Sequence, residues 1–263
     1  MSILSLLCGA VVGFSLGLTG GGGSIFAVPL LYYIIGLSFR SSVVVSLGVV
    51  GMTALYGTLL QARRGQVVWG AGTVLGVGGI IASGFGSRLG SYLSEDLSLL
   101  LFASLMIIIG ASMIRGPDTS SDVPLSWIAC KDSSHEAIRF SLPCACKLLV
   151  AGGITGILSG IFGVGGGFLL VPALLLVPRL PVHKASGTSL VAIAIISVAA
   201  LVYNARTVAE IPLVTSSFFL VGALVGMTSG SYMKARLPNR TLRLTFGLMV
   251  IMTALFIYLR VLA

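Results

Sequence analysis

Gly17-Leu18-Thr19-Gly20-Gly21-Gly22-Gly23-Ser24-Ile25-Phe26-Ala27-Val28-Pro29 sets four consecutive glycines in the middle of an apolar run extending from residue 2 to residue 36. As one helix that run would reach roughly 50 Å, against a bilayer hydrocarbon core of about 30 Å. Glycine has the weakest helix preference after proline, and clustered glycine is where a chain can reverse. The stretch therefore reads as two helical pieces folded into a hairpin, either re-entrant or spanning. A second copy follows. In Gly160-Ile161-Phe162-Gly163-Val164-Gly165-Gly166-Gly167-Phe168-Leu169-Leu170-Val171-Pro172, within the apolar run 143–178, a glycine cluster again precedes a proline.

One offset of 143 residues relates the copies and extends beyond them. It brings Gly13 onto Gly156, Gly17 onto Gly160, Gly20, Gly22 and Gly23 onto Gly163, Gly165 and Gly166, and Pro29 onto Pro172. It then brings Ser46-Leu47 onto Ser189-Leu190, Ala62-Arg63 onto Ala205-Arg206, and Gly79 onto Gly222. Duplicated halves are the usual construction of secondary transporters. Residues 1–114 form the first repeat, 115–142 a polar connector and 143–263 the second repeat.

Composition agrees with a membrane protein. Of 263 residues, 56% are hydrophobic and 9% charged, whereas soluble domains carry about 25% charged residues. Beyond the two long runs, apolar segments fall at about 41–62, 67–87, 97–114, 185–204, 211–233 and 241–260. The net charge of +9 is a topology signal in so apolar a chain. No basic face with interleaved aromatics points to nucleic acid.

Treating the two long runs as single crossings divides the sixteen cations eight to eight, which gives no orientation. As hairpins, they put Arg63, Arg64, Arg115, Lys131, Arg139, Lys147, Arg179, Lys184, Lys234, Arg236, Arg240 and Arg243 on one side, and leave Arg40, Arg88, Arg206 and Arg260 on the other. The positive-inside rule then makes the connector cytoplasmic and places both termini outside. Each half has an odd number of crossings, so the halves are inverted. The expected fold is all-α: a polytopic, multi-pass protein of the cell (inner) membrane, with two inverted repeats. Each repeat is a glycine-broken hairpin plus three transmembrane helices.

Cys8, Cys130, Cys144 and Cys146 match neither a disulfide framework nor a zinc signature, and read as reduced or membrane-embedded thiols. The lipoprotein-like start Ser5-Leu6-Leu7-Cys8-Gly9 lacks a basic leader, so the segment is expected to remain in the mature chain. No cofactor is expected.

Gly160 to Pro172, followed by His183-Lys184-Ala185-Ser186-Gly187-Thr188-Ser189-Leu190, resembles the TauE/SafE sulfite exporter family, and Gly17 to Pro29 is a fainter copy. The first half departs from the pattern where Val43-Val44-Val45-Ser46 replaces Ser186-Gly187-Thr188-Ser189. The resemblance implies transport, usually outward, of small sulfur-containing anions such as sulfite or organosulfonates.

The residues reach an anion independently. A helix beginning after a glycine turn points unpaired N–H groups and the positive end of its dipole at the turn, and glycine lets an oxyanion approach the backbone. Two such starts, near Ser24 and Gly167, would meet on the pseudo-two-fold axis. The substrate-binding candidates at the breaks are accordingly Gly21, Gly22, Gly23 and Ser24 with Gly165, Gly166 and Gly167. The other reading is that these glycines only allow helices to cross. Ser46, Thr188 and Ser189 either donate to oxyanion oxygens or bond a carbonyl one turn back. Gln61 with Arg63, and Asn204 with Arg206, form two amide–arginine pairs. Each arginine either draws anions into a vestibule, with its amide one step deeper, or anchors a helix end by snorkelling.

All seven acids fall in loops or at helix ends, and neither His135 nor His183 sits mid-span, so no intramembrane proton carrier is evident. There is no nucleotide-binding P-loop and no hydrolytic motif, so neither ATP nor enzymatic chemistry is expected. An anion leaving a cell that is negative inside gains about 2.3 kcal/mol per charge per 100 mV. Export by alternating access, driven by membrane potential, is the expected function. The alternatives are an anion channel, or a carrier for another small oxyanion or carboxylate. Expected partners are the anion and membrane lipid. Glycine faces such as Gly72 with Gly76, and Gly222 with Gly226 and Gly230, serve helix packing and could support a homodimer.

Overall fold

The computed structural model describes residues 2–115, 142–162, 182–205, 212–234 and 239–262. They form nine α-helices: α1 (Ser2–Thr19), α2 (Ser24–Pro29), α3 (Phe39–Arg63), α4 (Trp69–Tyr92), α5 (Glu95–Arg115), α6 (Leu142–Phe162), α7 (Val182–Asn204), α8 (Leu213–Lys234) and α9 (Asn239–Leu262). Spans Phe39–Arg63, Trp69–Tyr92, Ala145–Phe162, Lys184–Asn204 and Leu213–Lys234 are long and apolar enough to cross a membrane. Ile81, Phe85, Val225, Met252 and Leu259 point outward and exposed, the surface of a multi-pass protein solvated by lipid rather than water. The connector, the second glycine cluster and Arg206 lie outside the described residues.

The first long run is broken where the glycines stand. α1 ends at Thr19, Gly20 takes φ +82°, and α2 resumes at Ser24. The Gly20 N–H still donates to Leu16 O at 2.7 Å, closing the last turn of α1 before the chain reverses. Gly23 then lies directly on the backbone of Val12 and Leu16, so the returning arm packs against α1. Pro29 has no N–H to continue the α-ladder. Beyond it the chain winds as a π-helical turn over Leu30–Ile34, with Ile35 N donating to Leu30 O at 3.1 Å. This arm ends where Tyr32 meets the Phe39 ring and Tyr33 meets Phe256, both edge to face.

Glycine stripes set the closest helix contacts. A β-carbon on Gly9, Gly13 or Gly17 would strike the backbone of Phe219, Ala223 or Met227, and one on Gly222, Gly226 or Gly230 would strike Leu6, Ala10 or Phe14. The numbers rise together, so α1 and α8 run side by side in the same direction. The same holds for α4 and α6, through Gly78 on Leu149, Gly86 on Ile157 and Gly156 on Gly79. Small faces of this kind let membrane helices gain backbone-level van der Waals contact, with little hydrophobic drive between them. α5 and α9 run antiparallel: the Ser104 and Tyr258 hydroxyls are 2.9 Å apart, while Gly110 lies under Ile251. α3 and α7 also run antiparallel, with Gly51 against Ser197 and Gly57 against Leu190. Both are central, burying Leu47, Val50, Leu190, Ile193 and Ile196.

Shifted by the offset of 143, the bounds of α1, α3, α4 and α5 fall on those of α6, α7, α8 and α9 to within a few residues. The pairings exchange in step: α1 packs on α8 as α6 packs on α4. The first break lies at the start of α7, beside Ser186 and Ser189, whereas α6 ends beside Asn204 at the far end of that helix. Along the bundle, then, α1 and α6 run in opposite directions. One end of the bundle gathers Arg63, Arg64, Lys184 and Lys234, and the other Arg40, Arg88 and Arg260 with Glu95 and Asp96.

Candidate functional site

The glycine break is a hydrogen-bonded node shared by both halves. Thr19 Oγ1 donates to Ser15 O at 2.8 Å and accepts from Gly22 N at 2.9 Å, which fixes the turn from within. Ser24 Oγ donates to Gly21 O at 2.8 Å. From the second half, Ser186 Oγ donates to Thr19 O at 3.1 Å. Ser189 Oγ lies 2.7 Å from Gly20 O and 2.8 Å from Ser186 O, and so can donate to either. Gly20 through Ser24 are all buried. The second turn of α7 thus satisfies carbonyls left open where α1 ends.

The hydroxyl candidates take several positions. Ser189 joins the break. Thr188 faces the other way, its Oγ1 accepting from Val68 N at 3.0 Å just before α4 begins. Ser46, the repeat mate of Ser189, is fully buried in the second turn of α3. Substituting Thr188 with valine keeps the shape but removes the acceptor for Val68 N–H. The expected cost is about 1 kcal/mol, read as a lower melting temperature of the purified protein with unaltered helix content.

The amides of the two pairs, Gln61 and Asn204, lie at opposite ends of the bundle. Gln61 is buried beside Gly187 at the start of α7, while Arg63 is exposed two residues on. Asn204 Nδ2 donates to Ala200 O at 2.9 Å and lies 3.4 Å from Gly160 O. Asn204 also lines a cavity of about 200 Å³ with Arg40, Ser87, Ser91 and Glu95. Its partner Arg206 falls outside the described residues, as do Gly165, Gly166 and Gly167.

Two features of the end that carries the first break escaped the sequence reading. Ser186 stood in the motif but not among the site candidates, although it bridges the halves. Lys234 was counted only as a topological charge. Its signal was present all the same: Gly222, Gly226 and Gly230 recur every four residues, and Lys234 is the next position on that packing face.

The first long run is thus broken at its glycines, and serines of α7 hold the turn. The family model described as sulfite exporter TauE/SafE matches residues 5–257. The chain belongs to the TauE/SafE sulfite exporter family. Membership makes it a membrane transporter. A probable membrane transporter protein of Xylella fastidiosa strain Temecula1 is 33% identical over 261 residues, covering 98% of this chain and 95% of the relative. The probable membrane transporter protein YdhB of Bacillus subtilis is 24% identical over 241 residues, covering 90% of each. One from Haemophilus influenzae is 22% identical over 281 residues, covering 98% of each. No solved structure matches.

Proposed function

We propose that this family member exports small sulfur-containing oxyanions, sulfite or an organosulfonate, by alternating access, with membrane potential as the driving force. The observation that carries the reading is the Gly20–Gly23 break, buried at the seam of two oppositely running halves and gripped by Ser186 and Ser189. Broken helices at a repeat seam can offer backbone dipoles to an anion, and rocking one repeat against the other exposes such a seam to each side in turn. The break at residues 163–167 is proposed as its inverted mate. With the more cationic end facing the cytoplasm, Arg63 and Arg64 stand at the inner mouth and both termini lie outside.

Glu95 and Asp96, the described acids, lie at the opposite end from the first break. That placement favours uniport over proton coupling at this seam. In proteoliposomes loaded with sulfite, an imposed potential, negative inside, is expected to speed efflux, and saturating counterflow is expected at zero potential. Flux indifferent to the imposed potential would falsify the uniport mechanism. Unitary currents in place of saturation would turn the assignment to a channel.

A further inference from the structure

The last turn of α8 holds a charge with no partner. Lys234 is 6% exposed, and its Nζ makes no hydrogen bond, even to the carbonyls of its own helix end. Ser231, one turn earlier on the same face, is 3% exposed and its Oγ is also unpartnered. Other buried serine hydroxyls, such as Ser159 and Ser197, lack partners too, but an unsatisfied hydroxyl is a small cost beside an unsatisfied ammonium. Among the described residues, Lys234 alone combines burial, formal charge and no bond.

Its surroundings add positive charge. α3 lies against this part of α8, with Gly57 against Met227 and Arg64 Nη1 reaching Ser231 O at 3.4 Å. Gln61, between those two contacts, is 2% exposed and its Oε1 is unpartnered as well. The Ser231 backbone lies against Gly17, one turn before the break. Glu95 and Asp96 are at the far end of the bundle, and the other acids lie outside the described residues. A buried ammonium is tolerated when paired and hydrogen-bonded, and among the described residues no acid lies at this end to pair it.

We propose that Lys234, the Ser231 hydroxyl and the Arg64 guanidinium form a binding site for a small oxyanion between the ends of α3 and α8. The ammonium and hydroxyl supply directed donors in the interior, and the exposed Arg64 guides the anion in from water. The unpartnered Gln61 oxygen accepts from an anion that carries its own O–H. The site deepens the carrier reading and rests on it for the passage of a bound anion onward: an anion held here is one helical turn from the glycine break.

The test uses the full chain, purified in detergent, melted in sodium sulfate and in sodium isethionate against sodium chloride at equal ionic strength. Wild type is expected to gain stability saturably with both oxyanions. Lys234→Met is expected to melt no lower than wild type without oxyanion, since it removes an unpaired charge, and to need at least about tenfold more sulfate for the same gain. Lys234→Arg keeps the charge and is expected to stay within about threefold of wild type. Ser231→Ala, which leaves the charge in place, is expected to fall between them and serves if the methionine variant fails to fold. A methionine or alanine variant with wild-type anion dependence, or a wild type indifferent to both oxyanions, overturns the site. Flux separates the two readings. If wild type exports sulfite while Lys234→Met answers sulfate as wild type does, only this site fails. If wild type carries no anion yet is stabilised through Lys234, the site stands and the carrier reading fails.

Discussion

Gly20→Val is expected to abolish transport and to leave little folded protein. Gly20 takes φ +82°, where a side chain costs about 1–2 kcal/mol even without neighbours. There are neighbours: an added β-carbon would meet the Ser186 Oγ and lie 2.6 Å from its Cβ and 2.8 Å from its Cα. The bonds from Ser186 to Thr19 O and from Ser189 to Gly20 O would then part, leaving the buried Gly20 carbonyl and the half-buried Thr19 carbonyl without those donors. Membrane insertion, detergent extraction and sulfite counterflow read the outcome together. The milder Gly20→Ala should retain measurable protein, and Ser186→Gly beside it should recover part of the loss, since the clash is with that residue. Strict additivity of the two substitutions would show that the break does not depend on its clasp.

Gly226→Leu is expected to have the second largest effect, and for a different reason. The backbone there is ordinary helix, so the whole cost is steric. An added β-carbon would run into Ala10 O, and Phe14 N lies only 2.7 Å from it. Overpacking a fitted interface costs about 1–3 kcal/mol when the surroundings can relax. Main-chain atoms cannot relax as side chains do, so separation of α1 from α8 is expected instead. A cysteine pair engineered on the outward faces of the two helices should crosslink in the parent and lose that crosslink in Gly226→Leu. Retained crosslinking with retained transport would mean that the seam tolerates a gap.

Much of this architecture could be read from composition and spacing. Four glycines in succession are a statement about backbone, and the offset of 143 tied each element of one half to its counterpart, which set the helix bounds and the break. The Gly222, Gly226 and Gly230 face was legible as packing because period-four glycine has few other uses. Its partner was not, since nothing in the spacing says that α8 meets α1 rather than its neighbour in sequence. Individual donors were harder to place. Thr188 and Ser189 are adjacent and chemically alike, yet one supports the approach to α4 and the other clasps the break. A rotation of about 100° along α7 separates those roles, and it is set by tertiary docking rather than by either residue. Lys234 is legible in the sequence only as a charge at a helix end: such charge usually reaches for water, and the burial of this one shows only in the structure.

The pairing of α1 with α8 also has a consequence for biogenesis. Gly13 and Ala223 meet across a separation of about 210 residues, whereas α4 and α6 meet soon after α6 is made. While the ribosome works through everything between, the first hairpin sits in the bilayer with its bare glycine groove unoccupied, fit for lipid, a chaperone or the wrong helix. The second half completes the first rather than docking onto a finished one, so truncation before residue 213 should leave an orphan for quality-control proteases rather than a smaller working carrier.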